Sequence, residues 1–220
     1  MQAIFETAFD IVYLAAVITL GVLMVHSSRG RKSVLLFGVM ALVLGIGDAF
    51  HLIPRAYALN TTGLEVNAAL LGIGKLITSI TMTVFYVLLY HVARLRYDMR
   101  DKRWLDVVVY ALAAARVALC LFPQNEWTSA SAPLSWGIYR NIPFAALGIL
   151  IIAIFAVMVK RKGDRPFRFM ALAVTLSFAF YIPVVLFADA YPLIGMLMIP
   201  KTLAYVWVIA MGYRDSKAGA

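Results

Sequence analysis

Residues 33–53 read SVLLFGVMALVLGIGDAFHLI, a run of mostly apolar side chains interrupted near its end by Asp48 and His51. A transmembrane helix needs about 20 predominantly apolar residues, so this stretch is long enough to cross a bilayer. With six similar runs elsewhere in the chain, the predicted helices cover residues 8–25, 33–53, 68–90, 104–122, 140–159, 168–188 and 193–212. The sequence therefore predicts an all-α, polytopic membrane protein in which residues 1–220 form a single seven-helix bundle.

The composition of the chain points to the same class of protein. Apolar residues make up 63% and charged residues 14% of the sequence. Soluble domains average about 45–50% apolar residues and about 25% charged residues. A net charge of +9 is also found in proteins that neutralise nucleic-acid phosphates. Here the basic residues stand in short loops between apolar runs, so we expect the lipid bilayer as partner and no nucleic acid.

Lysine and arginine are distributed unevenly between the two sets of loops. One set, together with the C-terminal tail, contains Arg29, Arg31, Lys32, Arg94, Arg96, Arg100, Lys102, Arg103, Lys160, Arg161, Lys162, Arg165, Arg168, Arg214 and Lys217. The opposite set has only Arg55 and Arg140, at predicted helix ends. Because cytoplasmic loops carry the excess of these residues, we predict a multi-pass protein of the cytoplasmic membrane with its N-terminus outside and its C-terminus inside. The first run follows Glu6 and Asp10 rather than basic residues, which argues against a cleavable signal peptide.

Charged and polar side chains inside the predicted helices are the candidate site residues. A charge near the centre of a bilayer costs about 3 kcal/mol, so such residues face the protein interior or water. Counting from the helix ends places nearly all of them in the outer half of the membrane. The candidate ligand-binding residues are Asp48, His51, Arg55, Lys75, Ser79, Arg116, Arg140, Tyr181, Asp189, Lys201 and Tyr205.

Cations outnumber acids among these positions. The cations are Arg55, Lys75, Arg116, Arg140 and Lys201, and the acids deep enough to pair with them are Asp10, Asp48 and Asp189. An unpaired charge removed from water costs several kcal/mol, so an anion, a wet cavity or a shifted lysine pKa would accommodate the excess. We therefore predict a transporter- or receptor-like protein with an outward-facing polar pocket for a small anionic molecule. The alternative is that these residues pair in an interhelical network that binds no ligand.

Metal chemistry and catalysis receive less support from the sequence. The chain contains three histidines, and His26 and His91 lie near the predicted cytoplasmic face, far from His51. We therefore expect no histidine-based metal site and no cofactor. The spacing of Asp48 and His51 suits either an acid–base pair or a hydrogen-bonded brace on one helix face. An enzyme that acts on a lipid headgroup or lipid-linked substrate at the outer leaflet is thus the alternative function, but we name no catalytic residue.

Three segments carry a resemblance to known proteins. Residues 47–55 (GDAFHLIPR), 122–125 (FPQN) and 195–202 (GMLMIPKT) look like a group of bacterial seven-helix membrane proteins to which no activity is assigned. The resemblance extends over nearly the whole chain. It implies a bacterial inner-membrane protein and transfers no function.

A more distant similarity is to the microbial rhodopsins. They share seven helices, this orientation and a retinal-bearing lysine in the last helix, and Lys201 occupies a comparable place. The rhodopsin pattern has aspartate four residues before that lysine, where this chain has Leu197. Helix 3 carries Lys75 instead of the Arg–Asp–Trp–Thr pattern, and helix 6 contains no tryptophan. Retinal bound through Lys201 is therefore a remote alternative.

Overall fold

A computed structural model describes residues 2–188 and 190–218 of the chain. The described residues form seven α-helices and no strand. The helices are α1 (Gln2–His26), α2 (Lys32–Asn60), α3 (Ala68–Arg96), α4 (Arg103–Leu121), α5 (Leu134–Lys162), α6 (Met170–Phe187) and α7 (Met198–Ala218), with 3₁₀ turns at Pro123–Asn125 and Pro192–Leu197. All seven segments are long and apolar enough to cross a membrane. Over the described residues, the structure thus confirms the prediction of an all-α chain with seven helices that are able to span a membrane.

The helix boundaries differ from the predicted ones mainly at one end of the bundle. α2 continues through Asn60 instead of ending at residue 53, and α5 begins at Leu134 instead of residue 140. Hydropathy marks only the apolar part of a helix, whereas backbone hydrogen bonding continues into the polar flanks. α7 begins later than predicted, at Met198, because the 3₁₀ turn occupies the segment before it. Arg55 and Arg140 consequently lie inside helices rather than at helix ends.

The helices pack in chain order around the bundle, each against the next, and α7 closes the ring by contacting α1 and α2. α3 also contacts α5 across the bundle. We call the end formed by residues 61–67, 122–133, 188 and 190–192 the N-terminal end. The opposite end, formed by residues 27–31, 97–102 and 163–169, is called the basic end.

The interior of the bundle is aromatic at its centre. Tyr86 of α3 makes edge-on ring contacts with Phe144, Phe178 and Tyr205, at centroid distances of 5.1, 5.6 and 6.5 Å. Edge-on pairs of this kind add about 0.5–1.5 kcal/mol to the burial of the rings themselves. This layer separates the polar residues near the N-terminal end from the apolar packing toward the basic end.

A half-buried ionic cluster joins three segments at the basic end. The guanidinium of Arg96 donates to both carboxylate oxygens of Asp164, at 2.5 and 2.9 Å, and of Asp215, at 2.8 and 3.1 Å. Tyr97 donates a further hydrogen bond of 2.8 Å to Asp164, and Arg96 stacks on Phe167 with 4.0 Å to the ring centroid. The cluster therefore fixes the end of α3 to the α5–α6 loop and to the end of α7.

Candidate functional site

The candidate site is a group of polar side chains near the N-terminal end, and its first member is Lys201. This residue lies in the first turn of α7 and is only 8% exposed. Its amino group stands 5.0 Å from the ring centroid of Tyr181 and 5.7 Å from that of Tyr205. Ring faces attract cations at such distances, so two helices, α6 and α7, supply the immediate surroundings of the lysine.

Asp48 supplies the negative charge on the α1–α2 side of Lys201. The two residues interact electrostatically across the contact between α2 and α7. The hydroxyl of Tyr13 in α1 donates a hydrogen bond of 2.6 Å to the Asp48 carboxylate. This short hydrogen bond lets Tyr13 hold the carboxyl group in place.

Arg116 and Arg140 form the other side of the site. Arg116 is 2% exposed, and its Nη1 donates to the backbone carbonyl of Arg140 at 2.5 Å and to Oδ1 of Asn141 at 2.6 Å. Its guanidinium also lies over the ring of Phe144, 4.2 Å from the centroid. The Nε atom of Arg116 is buried and has no hydrogen-bond partner among the described residues. The arginine is therefore held by neutral acceptors and keeps one donor unsatisfied.

The α4–α5 loop positions Arg140. The Nη1 atom of Arg140 donates a hydrogen bond of 2.8 Å to Asn125, and its guanidinium stacks on Trp127 with 4.3 Å to the ring centroid. Asn125 is fully buried and donates to the carbonyls of Leu119 and Phe122, at 2.7 and 2.8 Å. These carbonyls lie at the end of α4, where backbone acceptors have no partner within the helix. The loop is thus tied to α4 and presents an asparagine oxygen to the arginine.

Tyr181 connects the two sides of the site. Its hydroxyl donates a hydrogen bond of 3.1 Å to Asn141, while its ring faces Lys201. Contacts therefore run without a break from the arginines through Asn141 and Tyr181 to the lysine. We call Asp48, Arg116, Arg140, Asn141, Tyr181 and Lys201 the polar cluster.

Tyr205 packs beside the polar cluster. Its hydroxyl is one of three that lie close together. Its hydroxyl and that of Tyr86 are 3.3 Å apart, and Tyr86 has the same separation from the hydroxyl of Ser177. These three groups are buried. Of the residues named from the sequence, the structure thus brings together Asp48, Arg116, Arg140, Tyr181, Lys201 and Tyr205.

Arg55 and Ser79, also named from the sequence, make their described contacts outside the polar cluster, whereas His51 lies close enough to Lys201 to interact with it electrostatically. Arg55 forms a salt bridge of 3.0 Å with Glu6, an acid that the sequence argument did not count as deep enough to pair. Lys75 is exposed, and Ser79 donates to the backbone carbonyl of Lys75 within α3. The Nδ1 atom of His51 is buried without a hydrogen-bond partner in the described part of the chain. Asp189 lies outside the described residues.

Two glycines allow the α3 backbone to approach its neighbours. A Cβ atom at Gly74 would lie 2.3 Å from the carbonyl oxygen of Phe50 and 2.9 Å from the Cα of His51. A Cβ atom at Gly72 would lie 1.3 Å from the carbonyl oxygen of Trp127. Glycine is required where backbones come this close, so these positions set the distances from α3 to α2 and to the α4–α5 loop.

Sequence reasoning missed three uncharged residues that contact the site. Asn125, Asn141 and Tyr13 each bind a charged side chain, yet none was named as a site residue. Asparagine inside or beside an apolar run is itself a signal, because a buried amide requires hydrogen-bond partners. That signal was available at Asn141, next to Arg140.

Two clefts lie elsewhere in the molecule. Clefts of about 500 and 660 Å³ open at the basic end, and neither is lined by a residue of the polar cluster. The predicted pocket around Lys201 therefore stays a prediction. Across residues 2–188 and 190–218, no group of three or more His, Cys, Asp or Glu side chains is placed to hold a metal ion.

The fold and the polar cluster define a multi-pass membrane protein of seven helices with a cation-rich interior near one end. Comparisons with protein-family models, with curated proteins and with solved structures found no match.

Proposed function

We propose that this chain is a transporter- or receptor-like membrane protein that binds a small anionic molecule at the polar cluster. The observation that carries the proposal is the buried guanidinium of Arg116, whose Nε has no described acceptor. Arginine has five N–H donors and stays charged in proteins. A carboxylate or phosphate oxygen would satisfy the free donor and also offset the charge.

The half-buried arginine cluster at the basic end provides a contrast. Arg96 at the basic end is bound by the carboxylates of Asp164 and Asp215. The described partners of Arg116 and Arg140 are backbone and side-chain amide oxygens and aromatic rings. Neutral oxygens satisfy hydrogen bonds but leave the charge uncompensated, at a cost of several kcal/mol. An anionic ligand bound by the two arginines would offset their charge and remove that cost.

The chemistry of the donors favours a carboxylate or a phosphate. A guanidinium presents a planar fork that matches these groups with two parallel hydrogen bonds. Lys201 would add a second positive charge, and Tyr181 a hydroxyl next to Asn141. Asp48 would orient the lysine or exchange a proton with it.

Access to this buried site would require movement at the N-terminal end. Pro143 follows Arg140 and Asn141 by one turn or less, Pro183 lies two residues after Tyr181, and Pro200 directly precedes Lys201. Proline frees a backbone carbonyl and interrupts a helix, and such breaks occur in membranes where the chain lines a cavity. Discontinuous helices of this kind surround the substrate in many transporters.

The experiment for the anion site is a thermal-unfolding screen of the purified protein with organic acids and phosphates. A ligand at about 100 times its dissociation constant should stabilise the protein by about 2.7 kcal/mol. Removing one partner of a buried, hydrogen-bonded charge pair costs about 2–5 kcal/mol. The Arg116→Gln and Lys201→Met variants should therefore bind the same anion at least about thirtyfold more weakly.

Arg55→Gln is the matched control, because it removes a cation at the same end that already pairs with Glu6. It should keep the ligand-induced stabilisation. Equal stabilisation of the parent and the Arg116→Gln variant, or no response to any anion in the panel, would contradict the site.

A membrane enzyme is the alternative function, and the buried Nδ1 of His51, which has no hydrogen-bond partner among the described residues, is the observation in its favour. His51→Ala should abolish turnover in such an enzyme but leave anion binding by a transporter unchanged.

Retinal attached to Lys201 remains the more distant alternative. A polyene requires an elongated cavity beside its lysine, whereas Tyr181 and Tyr205 contact the amino group here. Including retinal in the same screen tests it directly, since a Schiff base would produce visible absorbance that Lys201→Met lacks.

For orientation we propose that the N-terminal end faces outward and the basic end faces the cytoplasm of a bacterium. The excess of lysine and arginine at the basic end supports this assignment. Ser131 is exposed in the α4–α5 loop and Cys120 is buried, so a Ser131→Cys variant carries one accessible thiol. In intact cells a membrane-impermeant maleimide should label this variant and not the parent. Labelling only after the cells are broken would reverse the assignment.

A further inference from the structure

The cleft of about 500 Å³ at the basic end has the composition of a lipid-headgroup site. It lies between the α3–α4 loop, the first turn of α4 and the last turns of α5. Its basic lining residues are Lys102, Arg161 and Lys162. None of these three cations forms a salt bridge with an acid in the described ranges. Their charges are therefore available to a ligand.

The acids at the rim of this cleft weaken its positive potential only in part. The carboxylate of Asp98 is bound by Arg100 at 3.0 Å, with both side chains about four-fifths exposed to solvent (79% and 84%). Asp101 is the remaining acid in the lining. Lys162 also borders the neighbouring cleft, where Lys32 adds another positive charge. Basic side chains thus continue across both clefts.

An apolar surface leads away from the same cleft along the outside of the bundle. Trp104 lines the cleft and is 60% exposed, and Val107, one turn further along α4, is 69% exposed. Val157, beside the cleft residue Met158, is also exposed on α5. Tryptophan is enriched at the membrane–water interface, where one part of the ring meets lipid and the other water.

We infer that this cleft binds the phosphate of an anionic phospholipid. Lys102, Arg161 and Lys162 contact the headgroup, Trp104 packs at the level of the glycerol, and one acyl chain follows the exposed side chains of α4. Basic pockets between transmembrane helices bind anionic headgroups in this manner. The inference is independent of the proposed anion site, which lies at the other end of the bundle.

The test uses tryptophan quenching in phosphatidylcholine vesicles that contain a minor fraction of brominated phosphatidylglycerol. The Trp104→Phe variant isolates the contribution of Trp104 to the quenching. Each basic residue near an anionic surface contributes about fivefold to binding before screening. The product of three such contributions is about a hundredfold before screening, so the triple variant Lys102→Gln, Arg161→Gln, Lys162→Gln should need at least about tenfold more of the brominated anionic lipid for half-quenching of Trp104.

The matched control is the triple variant Arg29→Gln, Arg165→Gln, Lys217→Gln, which removes the same charge from the same end but not from the clefts. It should shift half-quenching much less than the cleft variant does, because it retains the three cations that contact the headgroup and loses only screened, longer-range attraction. Equal shifts in the two triple variants would overturn the inference. Asp101→Asn should act in the opposite direction and strengthen quenching. Relief of quenching by glycerol phosphate in solution would assign the cleft to soluble phosphate esters and exclude a lipid-specific site.

Discussion

The Gly72→Ala variant should unfold at a much lower temperature than the parent protein. A Cβ atom at this position would lie 1.3 Å from the carbonyl oxygen of Trp127, which belongs to the backbone and cannot rotate away as a side chain does. Overpacking of a well-packed interior costs about 1–3 kcal/mol and occasionally more. We expect a loss at or above the upper end of that range, because α3 or the α4–α5 loop must move.

This displacement should also reach the polar cluster. Trp127 donates a hydrogen bond of 2.8 Å to the carbonyl of Cys120 and carries the guanidinium of Arg140 on its ring. A shifted loop would lose both contacts, so Gly72→Ala should weaken anion binding as well as folding. Thermal unfolding in detergent, followed by helical circular dichroism, measures the first effect. The anion screen measures the second.

Gly137→Ala provides the matched control for this prediction. Gly137 is also a buried helical glycine near the same loop, but a Cβ there would meet only the Nη2 atom of Arg140, at 3.8 Å. Alanine is preferred over glycine inside helices by about 0.5–1 kcal/mol, so this variant should be as stable as the parent or slightly more stable. If the two alanine variants had the same unfolding temperature, the close approach at Gly72 would be refuted.

The number and type of helices followed from the sequence because a bilayer restricts the chain so strongly. Only segments whose backbone N–H and C=O groups are hydrogen-bonded internally can cross it. The apolar composition of residues 33–53 is enough to predict such a segment. The ends of the helices depend on local hydrogen bonds instead. At the end of α2, for example, the backbone N–H of Gly63, a residue with positive φ, donates a hydrogen bond to the carbonyl of Ala58. Hydropathy does not predict such a contact.

The charged residues of the candidate site could be predicted from the sequence, but the salt bridges and hydrogen bonds between them could not. Lys201 and Arg116 stand out in any apolar run, and the structure buries both. The pairing of Arg55 with Glu6 joins residues 49 positions apart in the chain, so it depends on how α1 packs against α2. The sequence-based count of excess cations was wrong for Arg55 for that reason. The excess at Arg116 and Arg140 persists among the described residues.

Replacing Arg96 at the basic end should cause the second large loss of stability. Arg96→Gln would leave the carboxylates of Asp164 and Asp215 without their shared cation, and the side chain of Asp164 is only 7% exposed. Removing one partner from a buried ion pair destabilises a protein by about 3–5 kcal/mol, and we expect the lower end of that range here because the side chains of Arg96 and Asp215 are 21% and 24% exposed. Arg96→Lys should recover part of this loss, because lysine keeps the charge but lacks the planar fork that binds two carboxylates.

The control for Arg96 is Arg100→Gln. Arg100 also pairs with an aspartate, Asp98, but its side chain is 84% exposed, and exposed ion pairs contribute about 0–1 kcal/mol. Thermal unfolding of the three variants in the same detergent should therefore rank Arg96→Gln far below Arg96→Lys, with Arg100→Gln close to the parent. An Arg96→Gln variant as stable as Arg100→Gln would show that the cluster does not hold the basic end together.

The same cluster gives the protein a defined response to acid. Partial burial tends to raise the pKa of Asp164, but hydrogen bonds from Arg96 and Tyr97 and the charge of Arg96 outweigh it and hold this pKa below its usual value. The stabilisation is therefore complete above the unfolded-state pKa of about 3.9, and it is lost as the pH falls through the lower pKa of the folded state. Unfolding temperatures measured across this acid range should fall for the parent and change less for Asp164→Asn, which lacks the titrating carboxylate. An equally steep fall in both proteins would assign the acid sensitivity to other carboxylates, because Asp164→Asn has no proton to gain at this position.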